Sequence, residues 1–353
     1  MLTVALLGTG NIARDGHLPA YLSSPVLRQR VRIVALADPC PANRAAAAAL
    51  LPDARVYADA ETLLAAETPD FVDICAPPYA HRPLIELALY AGCHVLCEKP
   101  LATDLADALA IRALAERTGA IVFPCHQYHY APQWQATRDA ILSGAIGTVL
   151  AAALTVQRCG ANRGAPAWRP AWRTEPELAG GGILVDHGTH LFYQLSAIFG
   201  PPLALSCRTE RRLPDVRAED TATVYLRYPR GLARLYLTWA ASHRATMHRY
   251  AGTRGVVACL DDRIVITAGG EERTISFAEG LSTGSAHSAW FGPLLEAFVE
   301  RIATNDRRRD LLDEAVRVAA FLTRAYESAA RGGRALRWCD PLALPLHAGA
   351  AAG

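Results

Sequence analysis

Lys99 is the sole lysine among the 36 basic residues of the chain and stands in the sequence Cys97-Glu98-Lys99-Pro100-Leu101. Arginine keeps its charge at any physiological pH, whereas a partly buried lysine can change its pKa and exchange a proton. Arginine-favouring codon usage accounts for the missing lysines, so the address of Lys99 matters more than its rarity. Further along, Gly180-Gly181-Gly182 opens a stretch in which Asp186 and His190 are four apart and share one face of a helix. The three glycines suit a close approach of backbone to ligand. A lysine, a carboxylate and an imidazole on one wall suit removal of a proton from a hydroxyl, with histidine starting near operating pH. Desolvation and a neighbouring cation would bring a lysine toward the same range. Lys99, Asp186 and His190 are therefore the catalytic candidates. His190 is expected to move the proton while Lys99 polarises the oxygen, the reverse assignment staying open, and Asp186 orients substrate hydroxyls. A loop with Trp168, Arg169, Trp172 and Arg173 offers a wall that stacks on a ring or binds an anionic substituent.

A second constellation lies at the start of the chain. Gly8-Thr9-Gly10-Asn11-Ile12-Ala13 follows an apolar run and opens a helical pattern. Gly8 permits a tight turn, Gly10 a close approach to phosphates, and Ala13 close helix packing, with the helix N-terminus facing negative charge. This is the pattern of a pyrophosphate loop for a dinucleotide. Asp38 ends the next apolar run, a little beyond the usual spacing of about 20 residues, and can accept hydrogen bonds from ribose hydroxyls. Its charge would repel a 2′-phosphate, so NAD is preferred; Arg44, one helical turn on, keeps NADP open. Ala76, Pro77 and His81 border the same groove, and Glu98 anchors the turn that carries Lys99.

The elements that must position these groups change character part-way along. Strands are predicted at Leu2–Leu7, Val31–Ala37, Phe71–Cys75, His94–Cys97 and 121–123, with helices near 12–23, 42–51, 61–66, 82–91 and 104–118. Continuous apolar strands alternating with helices mean a parallel sheet covered on both faces, with ligands at the strands' carboxyl ends. After a helix near 132–143, strands are predicted at 149–156, 203–210, 221–228, 232–238, 256–260, 263–267 and 273–277, joined by short turns as in an antiparallel sheet. Helices are expected at 182–199, 291–303 and 311–331. The fold class is thus α/β: a Rossmann doubly wound sheet over residues 1–125, then an α+β domain with a large open, mostly antiparallel sheet over 126–340. Its C-terminal helix is free to pack back on the first domain, and 341–353 form a tail.

At 353 residues the chain is long enough for two cores. A net charge of +2 supplies no field for nucleic acid or an anionic membrane. No apolar stretch reaches the about 20 residues that span a bilayer. The nine scattered cysteines have no zinc spacing and no obvious pairing, which points to reduced thiols in a cytoplasmic protein without a bound metal.

Taken together, the glycine loop, Glu98-Lys99-Pro100, Trp172-Arg173 and the Gly181–His190 stretch resemble the glucose–fructose oxidoreductase / inositol dehydrogenase (Gfo/Idh/MocA) family over nearly the whole chain. The resemblance implies an NAD(P)-dependent oxidoreductase that interconverts a secondary alcohol and a ketone on a sugar, cyclitol or related compound. It implies Lys99 and His190 at the reacting carbon, Asp186 holding the substrate, and a homodimer or homotetramer formed through the C-terminal sheet. One stretch departs from the family: Cys125-His126-Gln127-Tyr128-His129-Tyr130-Ala131-Pro132 replaces a run that commonly begins with Asn. Gln127 stands where that Asn is usual and is expected beside the cofactor. His126 and Tyr128, with Trp172, Arg173 and His187, are expected to shape the substrate wall. Two other readings use the same fold: a redox-assisted glycosidase or epimerase that retains its NAD, and a cofactor-sensing regulator without chemistry.

Overall fold

The structure, a computed structural model, describes residues 1–284 and 287–343; the HAGAAAG tail falls outside them. The first sheet contains β1 (Leu2–Leu7), β2 (Val31–Ala37), β3 (Arg55–Tyr57), β4 (Phe71–Ile74), β5 (His94–Cys97) and β6 (Val122–Pro124). All its pairings are parallel, in the order β3-β2-β1-β4-β5-β6. The order reverses between β1 and β4, and at such a switch point a crevice opens beyond the strand ends. Alternation along β1 sends Val4 and Leu6 to one face and Ala5 and Leu7 to the other, and each pair is fully or almost fully buried in its own core. Besides the five expected strands there is β3, and the linker after Ser24 is a helix, Pro25–Arg30, whose Leu27 amide donates to Ser24 Oγ at 3.2 Å.

The second sheet contains β7 (Val149–Gln157), β8 (Ala204–Glu210), β9 (Thr221–Tyr228), β10 (Gly231–Thr238), β11 (Ala245–Gly252), β12 (Gly255–Leu260), β13 (Arg263–Ala268), β14 (Glu271–Ser276) and β15 (Leu336–Arg337). Their order is β14-β13-β12-β11-β7-β10-β9-β8-β15, antiparallel throughout except for the β7–β10 pair. One face is covered by the helices Pro132–Leu142 and Thr189–Phe199. The opposite face leaves Tyr225, Leu232 and Met247 exposed.

Two late helices return to the first sheet. Ser288–Ala303 places Phe291, Leu294, Leu295, Phe298 and Val299 in the core that contains Val4 and Leu6. Asp310–Ala330 divides its apolar stripe: Leu312, Ala315, Val316 and Ala319 join the core on the other face, with Ala5 and Leu7. Its Val318, Phe321, Leu322 and Ala325 belong to the core of the second sheet. One helix thus closes two cores, which ties the domains together by burial of apolar side chains worth roughly 1.5–3 kcal/mol each.

Candidate active site

A cavity of about 370 Å³ lies beyond the carboxyl ends of β1, β4 and β5 and reaches the edge of the second domain. At its first end the Gly8 backbone has φ of +90°, and a Cβ there would lie 2.9 Å from Ala76 N and from the Cys75 carbonyl carbon. Glycine is required because both the dihedral and the space exclude a side chain. A Cβ on Gly10, by contrast, would meet no protein atom within 4 Å, so this backbone faces open space. Gly8, Gly10, Asn11, Ile12, Asp38, Ala76, Pro77 and Gln127 all line the cavity, and Gln127 Oε1 is buried with no partner among the described residues. An open, glycine-bordered helix start with an orphaned amide oxygen nearby fits a dinucleotide.

Asp38 also binds its own surroundings: Oδ2 accepts from Thr9 N at 2.7 Å and Oδ1 from Cys40 N at 2.8 Å. Behind the loop, His17 lies between two carboxylates, Asp73 Oδ2 at 2.8 Å and Glu98 Oε1 at 3.1 Å. Burial would lower the His17 pKa, but Asp73 and Cys75 together outweigh it and the net direction is well upward. Glu98 Oε2 accepts from Lys99 N at 3.0 Å, so this buried network fixes the turn that presents Lys99.

Across the cavity, Lys99 Nζ donates to the Asp186 carbonyl at 2.9 Å and to Asp186 Oδ1 at 3.2 Å. Burial would raise the Asp186 pKa; Lys99 and Arg173 outweigh it and hold the carboxyl well below its ordinary range. Asp186 lies in a π turn, Leu184–Gly188, that leads into the helix Thr189–Phe199. Such widened turns often mark functional sites. His190 follows on that helix, with Nδ1 3.0 Å from Tyr193 Oη and its ring stacked on Tyr128 at 4.2 Å between centroids. Burial first, then the Lys99 charge, pushes the His190 pKa well below its ordinary value, leaving a neutral imidazole. Burial likewise pushes His187 down to about 3. Tyr128, Trp168, Trp172, Arg173, His187 and His190 line this end.

Four expected ligand residues stand back from the cavity. Thr9 is fully buried behind the loop with its amide used by Asp38. Arg44 Nη1 donates to the carbonyls of Asp38 at 2.6 Å and Pro39 at 3.2 Å, because the helix Pro41–Ala48 folds its side chain back over the loop. His81 is also fully buried, its ring nitrogens each 2.8 Å from a carbonyl, Pro100 and Ala76; it braces the two turns that border the groove. His126 Nδ1 and His129 Nε2 both lie against Glu314 Oε1, at 2.7 and 2.8 Å, and neither ring lines the cavity. The Gly180–Gly182 run also differs from expectation: the space beside these residues is filled by Thr103, Tyr326 and Glu219 rather than left for ligand. Glu219 Oε1 accepts from the amides of Gly182 and Leu184, anchoring the turn that leads into the helix carrying His190.

Sequence reasoning missed Arg158, Arg244 and His287, which line the far end from the close of β7, the loop before β11 and the segment before the helix Ser288–Ala303. No local spacing could have signalled them, since they meet only through tertiary structure. The same holds for the groups His17–Asp73–Cys75, His17–Glu98–Cys125 and His126–His129–Glu314, which gather metal-ligating side chains from distant elements.

The sequence model for an oxidoreductase family with an NAD-binding Rossmann fold matches residues 2–126, and that for the GFO/IDH/MocA C-terminal domain matches residues 134–258. The chain belongs to the GFO/IDH/MocA family. Among relatives of this GFO/IDH/MocA chain, a D-apiose dehydrogenase from Paraburkholderia graminis is 33% identical over 68% of the chain and 61% of its own length. A D-glucoside 3-dehydrogenase from Escherichia coli is 31% identical over 58% of the chain and 56% of its own length. The matches thus span about three fifths of those relatives. A levoglucosan dehydrogenase solved with NADH and levoglucosan shares the fold with a TM-score of 0.83, at 21% identity over 96% of this chain and 99% of that one. An inositol dehydrogenase homologue from Azotobacter vinelandii complexed with NAD+ gives 0.79 at 21% identity, over 96% and 97% of the two chains. Among the described residues no helix is long and apolar enough to cross a membrane.

Proposed function

We propose that this chain is an NAD-dependent dehydrogenase or reductase acting on a secondary alcohol or ketone of a sugar, cyclitol or sugar derivative. The observation that carries the reading is the meeting of Lys99, Asp186 and His190 on the cavity wall that faces the Gly8–Ile12 loop. Relatives named for apiose, glucoside and levoglucosan oxidation support the substrate class.

With the Gly8–Ile12 loop holding its pyrophosphate, a bound NAD would supply the hydride acceptor or donor for the reacting carbon. The chain's residues handle the oxygen and its proton. With Nδ1 engaged by Tyr193, His190 has Nε2 for the substrate hydroxyl; a neutral imidazole can take that proton. Two Lys99 N–H groups are committed to Asp186, and the third serves the reacting oxygen, stabilising its developing charge. Asp186 holds Lys99 and accepts from neighbouring hydroxyls, while Trp168 and Trp172 provide aromatic faces for the ring. Asp38, Asp59 and Glu61 at the loop end disfavour an additional phosphate, and Arg44 is turned onto backbone carbonyls, which supports NAD over NADP.

Pairing of two chains through the open face of the second sheet is part of the same proposal, supported by exposed Tyr225, Leu232 and Met247 on β9, β10 and β11 of that face. Sedimentation at micromolar concentration tests it, a monomer being the contrary result. Seven buried free cysteines suit a reducing compartment, which supports a cytoplasmic location.

The deciding experiment follows NADH absorbance in both directions with cyclitols, free sugars and glycosides, in parallel with NADH binding by fluorescence. Turnover that is faster with NAD than with NADP supports the reading. NADH binding without turnover across the panel supports the sensor instead, and a cofactor that copurifies and never exchanges supports the redox-neutral glycosidase or epimerase.

A further inference from the structure

The far end of the cavity carries more positive charge than its chemistry needs. Arg158, Arg173 and Arg244 line it beside Lys99, and among the described residues none of the three arginines has a carboxylate partner. Arg158 is 3% exposed, and its terminal nitrogens donate to the carbonyls of Gln157, Ala245 and Leu281 and to Thr246 Oγ1. Its Nε is buried with no partner among the described residues. Arg244 donates Nε to the Ser282 carbonyl at 2.8 Å and Nη2 to the Gly284 carbonyl at 2.6 Å; no described residue accepts from Nη1. Arg173 donates Nη1 to the Asn162 carbonyl at 3.3 Å and lies over the Trp172 ring at 4.3 Å, with Nε and Nη2 unassigned among the described residues.

Backbone carbonyls orient a guanidinium without neutralising it. The carboxylates in the neighbourhood are already engaged: Asp186 by Lys99, Glu98 by His17, Asp261 by Ser282 and Glu279 by His287. Arg158 in particular is withdrawn from water without a carboxylate partner, which is costly. An arrangement of this kind becomes favourable when the missing anion arrives with the ligand, and arginine's planar fork matches carboxylate and phosphate oxygens. Burial is the main cause of the depressed His187 pKa; Asp186 opposes it, and Arg158, Lys99 and Arg244 add to the depression.

We propose that the substrate is an acidic sugar or polyol, whose anionic group is received by Arg173 and Arg244, in the field of the buried Arg158, at the end of the cavity away from the glycine loop. The inference rests on the reading of this cavity as the sugar site. It adds a specificity that a neutral sugar would not require: Arg173 and Arg244 orient the ring through its acid group, so that one carbon faces Lys99 and His190.

Tryptophan fluorescence gives a direct readout, because Trp168 and Trp172 line the cavity. The NADH-loaded protein is titrated with D-glucuronate, D-glucose 6-phosphate and D-glucose at low and high salt. At least one acidic sugar is expected to bind tenfold or more tightly than D-glucose, with the advantage shrinking as salt rises; the tighter acid tells carboxylate from phosphate. Arg244→Gln is expected to reduce that advantage at least fivefold, and Arg173→Gln serves as the second variant should the first fail to fold. Equal or tighter binding of D-glucose by the wild-type protein overturns the proposal, as does a full acid preference in a folded variant. Turnover of neutral sugars with no acid preference sinks this inference while leaving the dehydrogenase reading intact. If NADH does not bind, the dehydrogenase reading fails, and the same titration of the cofactor-free protein still decides the anion preference.

Discussion

At the glycine-loop end, the cavity is bordered by backbone and by the carboxylates Asp38, Asp59 and Glu61; at the sheet end it is bordered by Lys99, Arg158, Arg173 and Arg244. The first end is built mostly from consecutive residues at the tips of parallel strands, where one short stretch supplies turn, helix start and phosphate approach. The second is assembled from a strand-end turn, a π turn and the loops of a mostly antiparallel sheet, each contributing one or two side chains. The glycine-loop end thus rests on a compact motif, and the proposed substrate end on dispersed residues that can vary independently.

Substitutions test this contrast, beginning with the largest effect. Lys99→Met should lower kcat/KM by about a hundredfold to a thousandfold, the size of a lost oxyanion donor, while NADH affinity remains near wild type. A matching loss of NADH affinity would erase the division between the two ends. His190→Asn should lower kcat by about a hundredfold or more. Because burial and Lys99 hold the His190 pKa well below its ordinary value, the wild-type acid limb should lie below pH 6.5. Activity that rises with pH through a wild-type midpoint at or above 6.5 assigns the limb to another group. The same depression makes this site's contribution to stability complete above the unfolded pKa and lost as pH falls below it, since the unfolded chain then binds the proton first.

Two glycines divide the cofactor end more finely. Gly10→Ala should weaken NADH binding about tenfold, some 1.4 kcal/mol, with an unchanged melting temperature, because the added methyl meets no protein atom. Gly8→Ala should also destabilise the fold by about 1–3 kcal/mol through its strained φ. Equal melting shifts for the two would show that Gly10 also has a packing role. The smallest effect is expected for Arg44→Ala: its guanidinium rests on carbonyls outside the cavity, so the NAD-to-NADP ratio of kcat/KM should change less than about twofold, within about 0.5 kcal/mol.

These contrasts also explain what could be read in the sequence. Most of the first sheet was legible because its strands are buried on both faces and appear as unbroken apolar runs. Arg55–Tyr57 escaped because it has three residues, two of them exposed. In the second sheet Ala245–Gly252 escaped for another reason: it buries Thr246 and His248 while exposing Met247, so its polar residues point inward and its inside–outside alternation is disguised. The meeting of Lys99 with Asp186 followed from motifs, each on one short segment. Arg158 and Arg244 did not, because β7 and β11 bring their ends together only when the sheet forms. Arg44, His81 and His126 were expected at the ligand from sequence proximity, but hydrogen bonds to carbonyls and to Glu314 draw their side chains elsewhere.

The helices at 288–303 and 310–330 impose an order in time. A chain is made from its N-terminus, so the first sheet and its early helices leave the ribosome before the two late helices that complete the cover of its faces exist. Until they emerge, Val4, Leu6, Phe71 and Phe123 lack Phe291 and Phe298, and Ala5 and Leu7 lack Leu312 and Val316. The nascent nucleotide-binding half must therefore wait, sticky and incomplete, for residues synthesised after all but the last strand of the second sheet.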